Sequence, residues 1–240
     1  MGYSLLTNIH ELGLLNALCE AVDSTLRRLH SRLGAPRYLL FAQPINNQPL
    51  FSRPPKNITI QEIKQGDPIL GQMPRSSEQL NERFAKGGCC LCLISRKDNN
   101  ELLGFIWLFF EPYREQEDRC ELIPPRYPPC ALDVDIYIYP KARGGMVFAQ
   151  LWEAARVHLH KRGIHWSMSR ISAFNPYSIR AHRRLGGQCV GTLQYLKLGR
   201  FELMLSSCRP YLSWSFNEQN VPRIIIPLPR SSKNNTHGRH

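Results

Sequence analysis

Asp133 and Asp135 stand two residues apart in the run Asp133-Val-Asp-Ile-Tyr-Ile-Tyr139. Strict alternation of apolar and polar types puts both carboxylates on one face of an extended strand, beside Tyr137 and Tyr139. A carboxylate so placed can act as a base directly or through water; a strand's solvent face also carries Asp with no chemical role. Next comes Pro140-Lys-Ala-Arg143-Gly144-Gly145, and an apolar helical pattern opens at Met146 and Val147. A glycine turn feeding a helix leaves unpaired N–H groups at the positive end of the helix dipole, and that arrangement binds phosphate without a dedicated side chain. About thirty residues on stands Asn175-Pro-Tyr-Ser178-Ile-Arg180-Ala-His182-Arg183-Arg184-Leu185-Gly186. Its guanidinium groups suit phosphate oxygens. His182 titrates near neutrality and could donate a proton, or could be an ordinary histidine on the surface of a basic helix.

Other chemistries lack residues. Neither a Walker motif nor a G-x-G-x-x-G turn occurs, so nucleotide hydrolysis and nicotinamide chemistry are unsupported. Of the eight cysteines (Cys19, Cys89, Cys90, Cys92, Cys120, Cys130, Cys189 and Cys208), Cys89 and Cys92 have C-x-x-C spacing, but neither a second such pair nor a His pair at zinc-finger distance follows them. Cys89, Cys90 and Cys92 fall in an apolar run and read as packing residues of a reducing compartment; Cys189 has no motif around it. No metal is expected.

The elements that must position these groups are legible in order. Leu5, Ile9, Leu12, Leu15, Leu18, Val22, Leu26, Leu29 and Leu33 form one helical stripe, broken near Gly13 and expected to pack on its own domain. Tyr38–Ala42 is a short strand, and Pro44, Pro49, Pro54 and Pro55 mark an irregular connection. Strands are expected at Ile58–Ile63, Cys89–Ser95, Leu102–Phe110, Asp133–Tyr139, His165–Ile171, Val190–Leu198 and Arg200–Leu205. Asp98-Asn99-Asn100 makes a hairpin turn. Helices are expected from Ser76/Ser77 to Gly87, from Met146 to Lys161 and from Pro176 to Arg184. Residues 111–129 read as a loop, and the chain ends in a polar tail expected to be disordered.

The 240 residues carry a net charge of +12. From Lys141 to Arg200 eleven Lys and Arg face a single acidic residue, Glu153, so this quarter holds +10 of that charge. Such a segment attracts an anionic partner: a phosphorylated ligand, nucleic acid or an acidic membrane surface. No signal peptide is expected, and Leu6 stands where myristoylation needs Ser or Thr. No run reaches the ~18 apolar residues of a membrane span, so a cytoplasmic location is expected.

The segments 138–151 and 175–186, in this order and at this spacing, resemble the GNAT acyltransferase superfamily over about residues 58–205. The resemblance implies an α/β fold with a mixed central β-sheet flanked by helices and an N-terminal helical extension. It divides the chain into residues 1–57 (helix and Pro-rich connection), 58–207 (acyltransferase-like domain) and 208–240 (basic extension). It implies a CoA-dependent N-acyltransferase moving an acetyl or other acyl group from acetyl-CoA, or another acyl-CoA, to an amine by direct attack in a ternary complex. Backbone groups at Ile138 would hold the pantetheine. The amides of Arg143, Gly144, Gly145, Met146 and Val147 would hold the pyrophosphate. Asn175 would face the pantetheine arm, with Arg180 and Arg183 on the remaining phosphates. Asp135 or Asp133 would be the base, and His182, where many members have a tyrosine, the acid. Met146 and Phe148 fall where the family's phosphate loop has small residues. A small-molecule amine is the expected acceptor, with a homodimer possible. The alternative is a degenerate GNAT-fold module that binds an anionic partner such as nucleic acid or membrane.

Overall fold

The computed structural model describes residues 12–51, 57–97, 100–115, 117–217, 219 and 221–229. Leu5, Ile9, most of the Asp98-Asn99-Asn100 turn and the polar tail lie outside them. The chain runs α1 (Leu14–Leu29), β1 (Leu33–Gly34), β2 (Arg37–Pro44), β3 (Ile58–Ile63), α2 (Ser77–Ala85), β4 (Cys89–Ser95), β5 (Glu101–Phe109), β6 (Tyr113–Arg114) and β7 (Glu121–Ile123). It continues through β8 (Cys130–Ile138), α3 (Val147–Lys161), β9 (Trp166–Ser172), α4 (Pro176–Arg184), β10 (Gln188–Leu198), β11 (Phe201–Ser206), β12 (Leu212–Ser215) and β13 (Arg223–Ile225). The helix starts follow local chemistry. Ser76 and Gln79 form a reciprocal capping box at α2. Asn175 accepts from the Ser178 amide, with Pro176 opening α4.

Ten strands form one mixed sheet in the order β12-β11-β10-β2-β9-β8-β5-β4-β3, with β1 beside β10. Only β8 and β9 run parallel within it, and α3 is the crossover between them. One face packs Leu151, Trp152, Ala155 and Leu159 of α3 on Leu91, Leu93, Ile106 and Leu108. On the same face Ile179 of α4 meets Phe41 and Ile171. The opposite face buries Phe105, Trp107, Phe109 and Tyr195. A small sheet of β6, β7 and β13 closes it with Tyr113, Leu122, Ile224 and Ile226. Gly104 is required where β5 crosses β8, since a Cβ there would lie 2.8 Å from the Tyr137 carbonyl and from the Ile138 side chain.

Three expectations change. The boundary at residue 58 is not a structural one, because β2 lies between β9 and β10 inside the main sheet. Nor is the segment after 207 peripheral: β12 extends the sheet, and Cys208, Ile224 and Ile226 are buried in the core. The stripe on α1 is not packed inward. Leu14, Leu15, Leu18, Val22 and Leu29 are exposed, while Ala17 and Asp23 face the protein. The helix is tied down instead by polar groups, Asp23 Oδ1 accepting from the Ala35 amide at 2.7 Å.

The expected concentration of positive charge is partly an internal matter. Lys141, Arg156, Arg170 and Lys197 pair with Glu101, Glu153, Glu115, Asp118 and Glu202. Arg170 bonds Glu115 and Asp118 and sits over Tyr38, 3.9 Å from the ring centroid. Removing one member of a buried ion network leaves the others uncompensated. Arg170→Met should therefore destabilise the fold by about 3–5 kcal/mol, read as a lower urea midpoint. A loss under about 1 kcal/mol would show that the network is spectator chemistry.

Candidate functional site

The site begins with one extra residue. Opposite Trp107 and Leu108 of β5 stand Asp135 and Asp133, so Val134 is a bulge in β8. A bulge shifts the side-chain alternation by one. Before it, Ala131 faces α3 and Leu132 the opposite core; after it, Ile136 and Ile138 face α3 while Tyr137 and Tyr139 pack on the opposite side. Asp133 and Asp135 therefore lie on opposite faces, not on the shared face that alternation alone implies.

Their surroundings differ accordingly. Asp133 is 5% exposed, and its Oδ2 accepts from Ser167 Oγ at 2.6 Å and Ser169 Oγ at 2.8 Å. Burial pushes its carboxyl up to about 7, against the two serine hydroxyls that favour the charged form. Asp135 is gripped by two guanidiniums: Arg75 binds both oxygens at 2.8 and 2.9 Å, and Arg83 reaches Oδ2 at 2.6 Å. Three charged hydrogen bonds thus tie this carboxylate to the two arginines. Neither arginine stands out in the sequence, because both lie in and before α2, sixty and fifty-two residues upstream.

Past Asp133 the sheet opens. The pairing of β8 with β9 ends at Asp133 and Ser169. Beyond that point β8 pairs only with β5, and β9 only with β2. One backbone edge of Val134 to Ile138 is thus left without a strand. Two cavities meet in this notch. One, of about 700 Å³, is lined by Asp133, Asp135, Ser169, Arg170, Tyr38 and His182 among others. The second, of about 690 Å³, is bounded by Tyr137, Ile138, Gly144, Gly145, Phe148 and Tyr177. Ile136, Asn175 and Ser178 line both. A third cavity of about 1100 Å³ adjoins the first through Tyr38, Gln79, Glu115 and Glu117.

The turn before α3 has Gly144 at φ 80°, which an L side chain rarely adopts. Among the described residues the amides of Gly144, Gly145, Met146 and Val147 have no backbone acceptor, and the first turn of α3 has neither a side-chain cap nor an acidic residue. Two expected contacts fall away here. The Arg143 amide is bonded to Pro140 O, and the Arg143 side chain folds back to donate to Ile138 O at 3.0 Å. Met146 is exposed, whereas Phe148 turns inward against His182, ring centroids 5.7 Å apart. The glycine turn therefore stays open despite the bulk that follows it.

His182 is buried among Phe41, Phe148 and Trp152. Its Nδ1 is 2.8 Å from Ser178 O, an acceptor only, so Nδ1 carries the proton. Nε2 is buried with no partner. Burial lowers the imidazole pKa, which keeps the ring neutral and leaves no proton to donate at Nε2. In this geometry the proton on Nδ1 is already given to Ser178 O, and Nε2 offers none for the donor role expected of His182. Asn175 lines both main cavities as the cap of α4. Arg180 and Arg183 are exposed and off the lining, although Arg180 stacks on Tyr177, which is part of it. Tyr177 was not singled out by its neighbours in sequence; only its place on α4 identifies it.

A model of the acetyltransferase (GNAT) family matches residues 58–187, just over half of the chain. No curated protein matches it. Among solved structures the chain is similar to a GCN5-related N-acetyltransferase from Sphaerobacter thermophilus, at 14% identity over 70% of this chain and 53% of that one, TM-score 0.46. It is also similar to a Drosophila protein at 14% identity over 75% and 57%, TM-score 0.49. A GNAT family acetyltransferase from Elizabethkingia anophelis with acetyl-CoA bound is 18% identical over 46% and 62%, TM-score 0.31. The chain spans about half the length of the first structures it matches.

The raised Asp133 carboxyl has a consequence for stability. The folded state holds a proton up to about pH 7 that the unfolded chain releases near 3.8. The resulting stabilisation is present below 3.8 and is lost as pH rises through about 7. Each unit is worth 1.36 kcal/mol, so Asp133→Asn should gain on the wild type by about 4 kcal/mol between pH 4 and pH 8. Urea titrations of both chains at the two pH values measure this; an unchanged difference would place the ionisation elsewhere.

Proposed function

As the chain belongs to the acetyltransferase (GNAT) family, we propose that it transfers an acetyl or other acyl group from acyl-coenzyme A to an amine, both substrates being bound together. The observation that supports this best is the meeting of the two cavities where β8 and β9 part. One side of the notch offers backbone and glycine amides, and the other a buried carboxylate. Either cavity lies within the ~300–1,000 Å³ range of ligand sites.

The residues fit the acyl donor. The strand-free edge of Val134 to Tyr137 suits the extended, amide-bearing pantetheine, which can add to it as a strand would. The amides of Gly144, Gly145, Met146 and Val147, at the positive end of α3, suit the pyrophosphate. Arg180 and Arg183 remain candidates for the outer phosphate, and Asn175 for the arm between. When bound, the thioester supplies the electrophilic carbonyl.

Asp133 is the base in this reading. An ammonium acceptor must lose a proton before its nitrogen can attack. Ser169 Oγ takes that proton as its own passes to Asp133 Oδ2, 2.8 Å away. A carboxyl poised near 7 matches this task better than one at the ordinary value. Asp135 has a positioning role: bound to Arg75 and Arg83, it fixes α2 and the segment before it over the notch. The second amine proton balances the departing sulfur, so the transfer needs no acid from His182. The acceptor enters through the cavity on the Asp133 side, whose neighbour is lined by Arg32, Glu117, Arg119, Lys197 and Glu202, which suits a polar amine.

Acetyl-CoA should raise the melting temperature saturably, by about 2.7 kcal/mol of stability at 100 times its dissociation constant, while AMP does not. In an acceptor screen read by free-thiol release, kcat/KM should climb with pH through about 7. Asp133→Asn should lower turnover by about 10²–10⁴ with acetyl-CoA binding retained. No saturable shift with acetyl-CoA would remove acyl transfer; unchanged turnover in Asp133→Asn would remove the base.

A further inference from the structure

On the α3 face of the sheet, far along it from the notch, three side chains of different chemistry converge. Glu62 of the edge strand β3 stands opposite Leu91 of β4, and Cys89 is two residues from Leu91, so both point to the face that α3 covers. From above, α3 brings down His158. Its Nε2 is 3.4 Å from Cys89 Sγ, and its Nδ1 is 3.7 Å from Glu62 Oε2. One ligand atom from each residue lies within 4.8 Å of the others. A cavity of about 310 Å³ reaches Glu62 and Cys89 between Phe84, Phe110 and Arg162.

We propose that Glu62, Cys89 and His158 bind one divalent cation of the zinc type, with the cavity leaving its fourth position to water. Thiolate, imidazole and carboxylate are the three donors zinc takes in tetrahedral sites with an open position. With metal–sulfur and metal–nitrogen bonds of about 2.3 and 2.0–2.1 Å, tetrahedral angles separate the two donor atoms by about 3.6 Å. The 3.4 Å between Cys89 and His158 is already at that spacing. Glu62 is half exposed on an edge strand and can close the remaining distance. Thiolate and carboxylate together offset the charge of the ion, and Arg162, held over the Phe110 ring at 4.8 Å, borders the site without entering it.

Burial does not argue for a merely packed thiol here. Cys90 and Cys92, on the other face of β4, point into a core of apolar side chains, whereas Cys89 faces a histidine and a carboxylate. The chemistry of a nucleophilic Cys–His–Glu triad fits less well, since a carboxylate beside the thiol opposes the thiolate that a nucleophile needs and that a cation would stabilise. The bound ion would clamp β3, the last strand of the sheet, to β4 and α3.

The test uses the full chain and cobalt(II), whose thiolate complexes absorb in the near ultraviolet. One equivalent should bind with a thiolate-to-cobalt charge-transfer band that zinc(II) displaces. The band should vanish in Cys89→Ser and persist in Cys189→Ser, which removes an exposed thiol. Glu62→Gln and His158→Gln should each weaken zinc binding at least about tenfold, and zinc should raise the melting temperature of the wild type alone. If Cys89→Ser does not fold, as judged by its far-ultraviolet spectrum, the Glu62→Gln and His158→Gln affinities decide. The proposal is overturned if cobalt gives no such band, if the band follows Cys189, or if both Glu62→Gln and His158→Gln bind zinc as the wild type does.

Discussion

The end of the β8–β9 ladder at Asp133 and Ser169 is the constraint on which the site depends. Up to that pair the two parallel strands hold each other; past it each holds only its outer neighbour. The sheet stays whole because β5 and β2 keep the two halves anchored, while α3 and α4 pack across the same face. Had the ladder run on to Ile138, its backbone groups would be spent on β9 and neither cavity would open between the strands. The bulge at Val134 does the complementary work, turning one acidic residue to each face at the mouth of the opening.

The two acids show why environment and not spacing decides a role. Asp133 is met by two neutral hydroxyls and a backbone amide, so burial dominates and the proton is held toward neutrality. Asp135, two residues on, meets Arg75 and Arg83 and becomes the anchor of a cationic clamp. The clamp closes on aromatic rings, Arg75 lying 5.7 Å from Phe105 and Arg83 5.5 Å from Trp107. A carboxyl held toward its protonated form and a structural anchor are thus produced from one residue type on one strand.

Most of the elements were legible because local signals agreed. The apolar runs of β4 and β5, the capping box of α2 and the Asn-Pro start of α4 each announce themselves within a few residues. The site was legible only in part. The glycine turn and Asn175 are where motif order places them. The bulge leaves no mark in Asp-Val-Asp-Ile-Tyr-Ile-Tyr, whose alternation reads as unbroken, and so both acids were assigned one face. The partners of Asp135 and of Asp133 come from other elements, and a single sequence does not say which elements will meet. The same limit hid the cluster of Glu62, Cys89 and His158, which joins a strand edge, a neighbouring strand and a helix nearly seventy residues later. Short β6, β7 and β13, three residues at most, offered no periodicity to read.

Phe148 and His182 look in the sequence like two separate departures from the family, one that would clog the phosphate turn and one that would replace a proton donor. In the structure they form one feature. Phe148 and Trp152 are one turn apart on α3, and both meet the His182 ring of α4, so these residues pack the two helices together beneath the turn. The side chain at 148 points into this interface, and the cavity that it lines with Gly144 and Gly145 stays open. The histidine, in turn, sits where a proton would be costly, its one N–H given to Ser178 O. An aromatic interface here does the holding, and in the proposed reaction the proton passes to Asp133, whose carboxyl lines the neighbouring cavity.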